Sequence, residues 1–273
     1  AGGRFREAFV WGHNPAATLP DSHRVREGLS RDDLFLVVHE LFMTETAKLA
    51  DVVLPATAVT EHSDVFRSYG HRTLQVGWKS SAPPGEQRSN VDCFSAIGRA
   101  LGFTGADGFP AEGRGPAFEA DEAVLVGELL AANRGRFSDE EYRRAVAGEP
   151  VKLSPRALEG TGTPSGKIEL VSASVEASGG PRVASWAPDD GAGMTGTFRL
   201  LSTPSTATHN STFMHVARHR ARVGEPRVHV HPDDLRSVGI GEGDLVRIRN
   251  EFGAVTVKTS GDETLPRKVV RVD

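Results

Sequence analysis

The chain has 273 residues, 38% of them hydrophobic and 25% charged, with 32 Lys and Arg against 36 Asp and Glu, the composition of an ordinary globular protein. That excludes wholesale disorder, and a formal net charge of −4 gives no reason to expect nucleic acid or an anionic membrane surface as a partner. A single cysteine, Cys93, excludes an internal disulfide and any iron–sulfur cluster needing four thiolates from this chain, and no apolar run approaches the roughly 18–20 residues of a membrane span.

In chain order, Ala8–Trp11 reads as a short strand running into Gly12-His13-Asn14-Pro15, a turn whose Gly tolerates unusual dihedrals and whose Pro forbids continuation. The pattern then predicts a helix over Asp21–Leu29, a strand over Leu34–His39, a helix over Thr44–Ala50 with Thr44 as N-cap, and a strand over Asp51–Pro55. Strand, helix and strand at this spacing imply an open parallel sheet. Ligands of such sheets sit beyond the carboxyl ends of the strands, which here are Gly12–Pro15 and His39-Glu40. Val91–Phe103 is amphipathic, with Val91, Phe94, Ile97 and Leu101 on one face, and closes this unit.

Residues 104–196 read as a connecting region: a Gly-rich loop over Thr104–Pro116, helices over Asp121–Asn133 and Asp139–Ala147, a turn at Thr163–Gly166 into a strand over Lys167–Val171, and a Gly/Pro-rich stretch over Gly179–Gly196. From Phe198 the periodicity changes to short strands at Phe198–Ser202, Arg227–His231, Leu245–Asn250, Ala254–Thr259 and Lys268–Val272, with a short helix at Asp233–Val238. Such a series predicts a small β-barrel-like module over residues 197–273.

Several residues could carry chemistry. Gly12 has no side chain, so phosphates could approach its backbone, although any turn looks like this. Glu40 ends an apolar strand, where a carboxylate can accept bonds from a ribose or from the paired N–H donors of guanine; together the two point to a nucleotide-type ligand. His229 and His231 alternate onto one strand face like a metal pair, but Pro232-Asp233-Asp234 reads equally as a helix start. His215 and His219 lie at i, i+4 spacing beside Arg218, Arg220 and Arg222, which fits a basic surface better than a metal site. Cys93, at the start of a helix, reads as packing, and Ser165 lacks a nucleophile-elbow pattern.

Taken together these runs resemble the molybdopterin oxidoreductases of the dimethyl sulfoxide reductase and formate dehydrogenase type. The signature is an acidic residue after an apolar strand, then Thr44-Glu45-Thr46, then Ala50-Asp51-Val52-Val53-Leu54-Pro55. Gly12-His13-Asn14-Pro15, the Glu61 region, Thr163–Leu170, and Val238-Gly239-Ile240 with Gly243-Asp244-Leu245-Val246 follow the family in the same order. The resemblance implies the carboxy-terminal half of a catalytic subunit: an α/β, open parallel-sheet (Rossmann-like) portion over 1–103, then a double-psi β-barrel that closes over the cofactor.

It implies a bis-molybdopterin guanine dinucleotide with molybdenum or tungsten, a small-molecule substrate and an electron-transfer partner protein or domain. A 4Fe–4S cluster and the metal-ligating residue are expected in sequence preceding this chain, and the location is expected to be cytoplasmic, or periplasmic behind a signal. Residue by residue, Gly12, Asn14 and Pro15 match the dinucleotide-contacting loop, and His39 and Glu40 the strand-end pair near a guanosine. His62 sits where the family commonly has Lys, and Asp92 where an acidic cofactor contact is common. Thr203, Ser205, His209, Asn210 and Ser211 fall in the loop that touches a pterin, whose ring edge offers donors and acceptors to polar groups. The stretch Ser63–Arg72 departs from the family, which usually shows Gly-Thr-Phe and then Asn and paired Arg. Two alternatives follow: a binding or assembly module that keeps the fold without the cofactor, and a metal-dependent hydrolase built on His229 and His231.

Overall fold

The structure, a computed structural model, describes residues 4–67, 69–102, 121–153, 162–186 and 196–272. In chain order its elements are β1 (Glu7–Trp11), α1 (Pro15–Thr18), α2 (Ser22–Leu29), β2 (Phe35–Glu40), β3 (Val52–Pro55), β4 (Asp64–Arg67), β5 (Thr73–Gly77), α3 (Asn90–Ala100), α4 (Glu122–Ala132), α5 (Asp139–Val146), β6 (Val151–Lys152), α6 (Ala173–Ala177), β7 (Arg199–Ser202), α7 (Ala217–Val223), β8 (Arg227–Val230), α8 (Pro232–Ser237), β9 (Leu245–Asn250), β10 (Gly253–Gly261) and β11 (Val269–Val272). They fall into two compact units, one from Gly2–His13 with Asp32–Glu159, the other from Asn14–Arg31 with Gly160–Asp273.

In the first unit, β1, β2 and β3 form the expected parallel sheet in that order, with Trp11 opposite His39 and Glu40 opposite Pro55. β2 is central, and its Leu36 and Val38 are fully buried, the continuous burial that parallel strands need. The Asp51 carboxylate accepts the Leu36 amide at 2.7 Å, tying the start of β3 to β2. One face is covered by α3, whose Phe94 ring lies 5.2 Å from Phe9 and 5.1 Å from Trp11. The amphipathic helix expected over Val91–Phe103 runs from Asn90, N-capped by Ser89, and stops at Ala100, where Gly102 with φ +76° turns the chain.

The predicted helix Thr44–Ala50 is only a 3-10 turn, Ala47–Leu49. Thr44 does cap it, its hydroxyl accepting the Ala47 amide at 3.2 Å, but Ala50 is already extended to enter β3. The short span between two parallel strands leaves no room to repay helix nucleation.

The same unit holds an antiparallel sheet β4-β5-β6 that the periodicity does not foretell. Its strands are short, and β6 joins from far along the chain, so no local pattern marks them. Val76 and Val151 of this sheet pack with Val126 and Leu130 of α4, Phe137, and Ala145 of α5 into one core cluster. α5 begins with a capping box between Ser138 and Glu141. The predicted loop Thr104–Pro116 lies outside the described residues.

In the second unit, a five-stranded mixed sheet runs β7-β11-β8-β10-β9. β8 pairs parallel with β10 and antiparallel with β11, and β11 pairs parallel with β7, the crossed connections of the barrel portion. Val228, Val230, Leu235, Val257 and Val270 form its core. Asp234 of α8 is fully buried and accepts the Lys268 amide at 2.6 Å and Arg267 Nε at 2.7 Å, fastening the entry to β11. The strand expected over Lys167–Val171 does not form. Ile168 and Leu170 are 72% and 80% exposed, and the preceding turn is closed by side chains, with Thr163 donating to the Lys167 carbonyl at 2.6 Å and Glu169 accepting the Ser165 amide at 3.1 Å. Among the described residues no strand or core cluster includes this stretch, and its alternating residues stay irregular. The α/β sheet followed by barrel strands is otherwise the architecture expected from the sequence.

Candidate functional site

The carboxyl ends of β1, β2 and β3 lie side by side, as the parallel register requires. Gly12 follows β1, Glu40 ends β2, and the segment from Ala56 to His62 leaves β3. Gly12 has φ +57°, and a Cβ there would meet nothing within 4 Å, so the loop keeps open space beside its backbone.

Glu40 folds back so that Oε1 accepts the Leu41 amide at 2.8 Å, which fixes the carboxylate at the sheet edge. Its other oxygen has no hydrogen-bond partner among the described residues and is left to accept from a ligand.

His39 is 1% exposed. Its Nδ1 lies 3.2 Å from the Leu54 carbonyl, an acceptor, so Nδ1 carries the proton and Nε2 is the lone-pair nitrogen. Nε2 is buried with no partner among the described residues. Burial holds the imidazole below its ordinary pKa, outweighing the Leu54 carbonyl and the Glu40 charge, so the ring is neutral near pH 7. His39 and Glu40 alternate across the strand, so the buried imidazole and the carboxylate point to opposite faces of the sheet.

His62 accepts or donates through Nδ1 to Thr57 Oγ1 at 2.9 Å, in a tight turn where the Glu61 carboxylate accepts the Ala58 amide at 2.8 Å. The turn is held against Arg88, whose carbonyl accepts the Thr57 amide, a long-range bridge that sequence spacing does not reveal. Asp92 is in the first turn of α3, where the helix dipole favours its charge, and is exposed. Cys93, beside it, is buried, and burial raises its thiol above the ordinary value despite the nearby Arg88 charge, so it is a packing residue.

In the second unit, the Asn14 carbonyl accepts the Ala17 and Thr18 amides at 3.0 Å, and Pro15 occupies the first position of α1, where a missing N–H costs nothing. Asn14 itself is buried. The loop after β7 carries Thr203, Ser205, His209, Asn210 and Ser211. Ser205 accepts the Ala207 amide at 3.1 Å, and His209 bridges to Thr212 around Asn210, which takes the left-handed conformation at φ +52°. The loop is held by His219, whose Nδ1 meets the Ala207 carbonyl at 2.9 Å and whose ring stacks on Phe213. His219 is therefore engaged in holding the loop, and His215 precedes α7 rather than sharing a helix with it. His231 is the N-cap of α8, its Nδ1 accepting the Asp233 amide at 3.1 Å. That resolves the His229–His231 pattern in favour of a helix start, and no cluster of three metal-ligating side chains occurs among the described residues.

The donor set fits part of a dinucleotide: open backbone at Gly12 for phosphate, and an acceptor-only carboxylate at Glu40 for a base or ribose that donates. Residues 2–100 match the family model described as molybdopterin oxidoreductase, and residues 198–273 that described as molydopterin dinucleotide binding domain. The chain is 32% identical over 275 residues to the probable oxidoreductase YoaE of Bacillus subtilis, covering 97% of this chain and 38% of that protein. It is 26% identical to the F420-dependent formate dehydrogenase subunit alpha of Methanocaldococcus jannaschii, covering 99% of this chain and 38% of that one. To the dimethyl sulfoxide/trimethylamine N-oxide reductase of Rhodobacter capsulatus it is 27% identical, covering 97% and 35%. The fold matches acetylene hydratase from Pelobacter acetylenicus with a TM-score of 0.77 at 20% identity, over 98% of this chain and 36% of that one. The chain thus spans at most 38% of the length of these curated relatives. No helix among the described residues is long and apolar enough to cross a membrane.

Proposed function

Because the chain belongs to the molybdopterin oxidoreductase family, we propose that it is the part of a molybdenum or tungsten oxidoreductase that holds a bis-molybdopterin guanine dinucleotide. When bound, that group supplies a metal that exchanges two electrons with a small-molecule substrate and, through a partner protein or domain, passes them on. A 4Fe–4S cluster, where the enzyme has one, draws its thiolates from outside this chain, whose one cysteine is a packing residue.

The observation that carries this reading is the alignment of Gly12 and Glu40 on one edge of a parallel sheet. Gly12 leaves room for phosphate, and the free oxygen of Glu40 accepts from guanine N–H groups. His39 completes the strand-end pair that the family resemblance places near a guanosine. Asn14 and Pro15 follow Gly12 in the chain and match the family's dinucleotide loop, His62 and Asp92 match further cofactor contacts of the family, and Thr203, Ser205, His209, Asn210 and Ser211 fall in the loop matched to a pterin contact. The proposed division is residues 1–103 for the α/β portion, 104–196 for the connection and 197–273 for the dinucleotide-binding barrel. The proposed location is cytoplasmic, or periplasmic behind a signal sequence. Fold alone does not choose the reaction, since the solved neighbour is named a hydratase and the sequence relatives are named reductases and dehydrogenases.

A second reading, a binding or assembly module that has lost the cofactor, is favoured by the departure at Ser63–Arg72, part of which is strand β4. Glu40→Gln separates the two. A charged acceptor for N–H groups contributes roughly 1.5–3 kcal/mol, so the variant is expected to bind guanosine monophosphate about ten- to a hundredfold more weakly by calorimetry. Equal affinity in variant and wild type removes Glu40 from the site.

A further inference from the structure

The β9–β10 hairpin and α2, which belong to the same compact unit, line a recess of about 500 Å³ that shares no residue with the site described above. In β9, Val246 and Ile248 pack on the barrel core, so Arg247 and Arg249 point out together from the opposite face. Across the hairpin from Arg249 stands Ala254, too short to fill the space beside the guanidinium. Neither guanidinium reaches a carboxylate among the described residues, whereas Arg182, Arg236, Arg267 and Arg271 of the same unit each do. His23 of α2 completes the lining, and its ring comes close because residue 253 is glycine: a Cβ there would lie 3.2 Å from ring Cδ2 and 3.3 Å from Nε2. Asn250 fixes the hairpin turn, its Oδ1 accepting the Phe252 and Gly253 amides at 2.9 and 3.0 Å.

Charge and donor geometry narrow the ligand. Glu251 is the one acidic group in the lining, against two arginines, so the recess favours an anion. One guanidinium fork already satisfies both oxygens of a carboxylate. A phosphate monoester has three terminal oxygens and can accept from two forks and an imidazole. The recess has the volume of a small-molecule site and is larger than inorganic phosphate alone would fill. Phe252, 55% exposed, gives an organic remainder an apolar wall, and the Glu251 carboxylate can accept from its hydroxyls. We propose that this recess binds a phosphorylated small molecule, with Arg247 and Arg249 on the phosphate and a hydroxyl-bearing organic part against Phe252 and Glu251. The proposal stands on the hairpin and α2 alone and does not depend on the cofactor reading.

The test is calorimetric titration of the full-length protein, as isolated, with ribose 5-phosphate, inorganic phosphate and succinate. Wild type is expected to bind ribose 5-phosphate most tightly, inorganic phosphate less so and succinate most weakly. Arg247→Ala and Arg249→Ala should each weaken ribose 5-phosphate about tenfold, the effect of losing one charge-assisted contact at an exposed site. Arg249→Lys keeps the charge but loses the fork, so its affinity should fall between that of wild type and Arg249→Ala. Arg222→Ala removes the same charge from α7, outside the recess, and should bind as wild type does. All three arginines are exposed, so these variants should keep the fold. If wild type binds neither phosphate compound at millimolar concentration, or if Arg222→Ala weakens binding as much as Arg247→Ala, the recess is not a site. Succinate binding as tightly as ribose 5-phosphate overturns the phosphate assignment, and inorganic phosphate binding as tightly overturns the part given to Phe252 and Glu251.

Discussion

Asp234→Ala is expected to lower the unfolding free energy of the barrel unit by about 3 kcal/mol, read from denaturant titration. The carboxylate is fully buried and serves two partners, the Lys268 amide and the Arg267 guanidinium. Removing one member of a buried pair costs roughly 3–5 kcal/mol when the other charge stays trapped. Arg267 is 51% exposed and can turn to water, which places the effect at the low end. The larger part comes from the Lys268 amide, which loses its acceptor, and from Lys268 itself, held at φ +65°, a conformation that non-glycine residues resist.

The loss should also depend on pH. Burial pushes the Asp234 carboxyl up, but the Lys268 amide, the Arg267 hydrogen bond and the two positive charges outweigh it, leaving the group below its ordinary 3.8. A carboxyl with a depressed folded pKa contributes stability that is fully present above its unfolded value and lost as pH falls through the folded one. The gap between wild type and Asp234→Asn, which keeps the shape without the charge, should therefore narrow as the solution is taken below about pH 4. A gap that stays constant down to pH 2 contradicts the assignment.

Leu36→Ala is the second large effect, an expected loss of about 2–5 kcal/mol. Leu36 is fully buried in the central strand β2, four residues before Glu40, and the parallel sheet cannot close over the missing methyls without moving that strand. Phe35→Ala, one residue away but 50% exposed, should cost far less, since little of its area leaves water on folding. Equal losses at the two positions would show that β2 does not face a core as described.

The parallel sheet was legible because its strands are continuous apolar runs between turn residues, and β1, β2 and β3 fall within a residue or two of their predicted bounds. The barrel strands were legible for a different reason, the alternation of apolar and polar residues between turns, as in Leu245–Asn250. The antiparallel β4-β5-β6 sheet was not, because β6 has two residues and its partner lies far back in the chain. Lys167–Val171 alternates like a strand but lies outside every strand among the described residues, and alternation alone does not make one. At the site, Gly12 and Glu40 could be placed at strand ends from spacing. The orphaned Nε2 of His39 and the bridge from Thr57 to Arg88 depend on packing between distant segments, which no local signal carries. His231 shows the reverse: a helix-start signal in Pro232-Asp233-Asp234 was the better guide than the metal-like spacing of two histidines.

The central claim, that this chain serves a molybdenum or tungsten pterin enzyme, is tested most directly on the full-length native protein. Elemental analysis should find molybdenum or tungsten, and fluorescence of the oxidised, released pterin should find about two pterins per metal. Protein from cells able to make the cofactor that carries neither metal nor pterin would contradict the claim and leave the chain as a binding module built on the same fold.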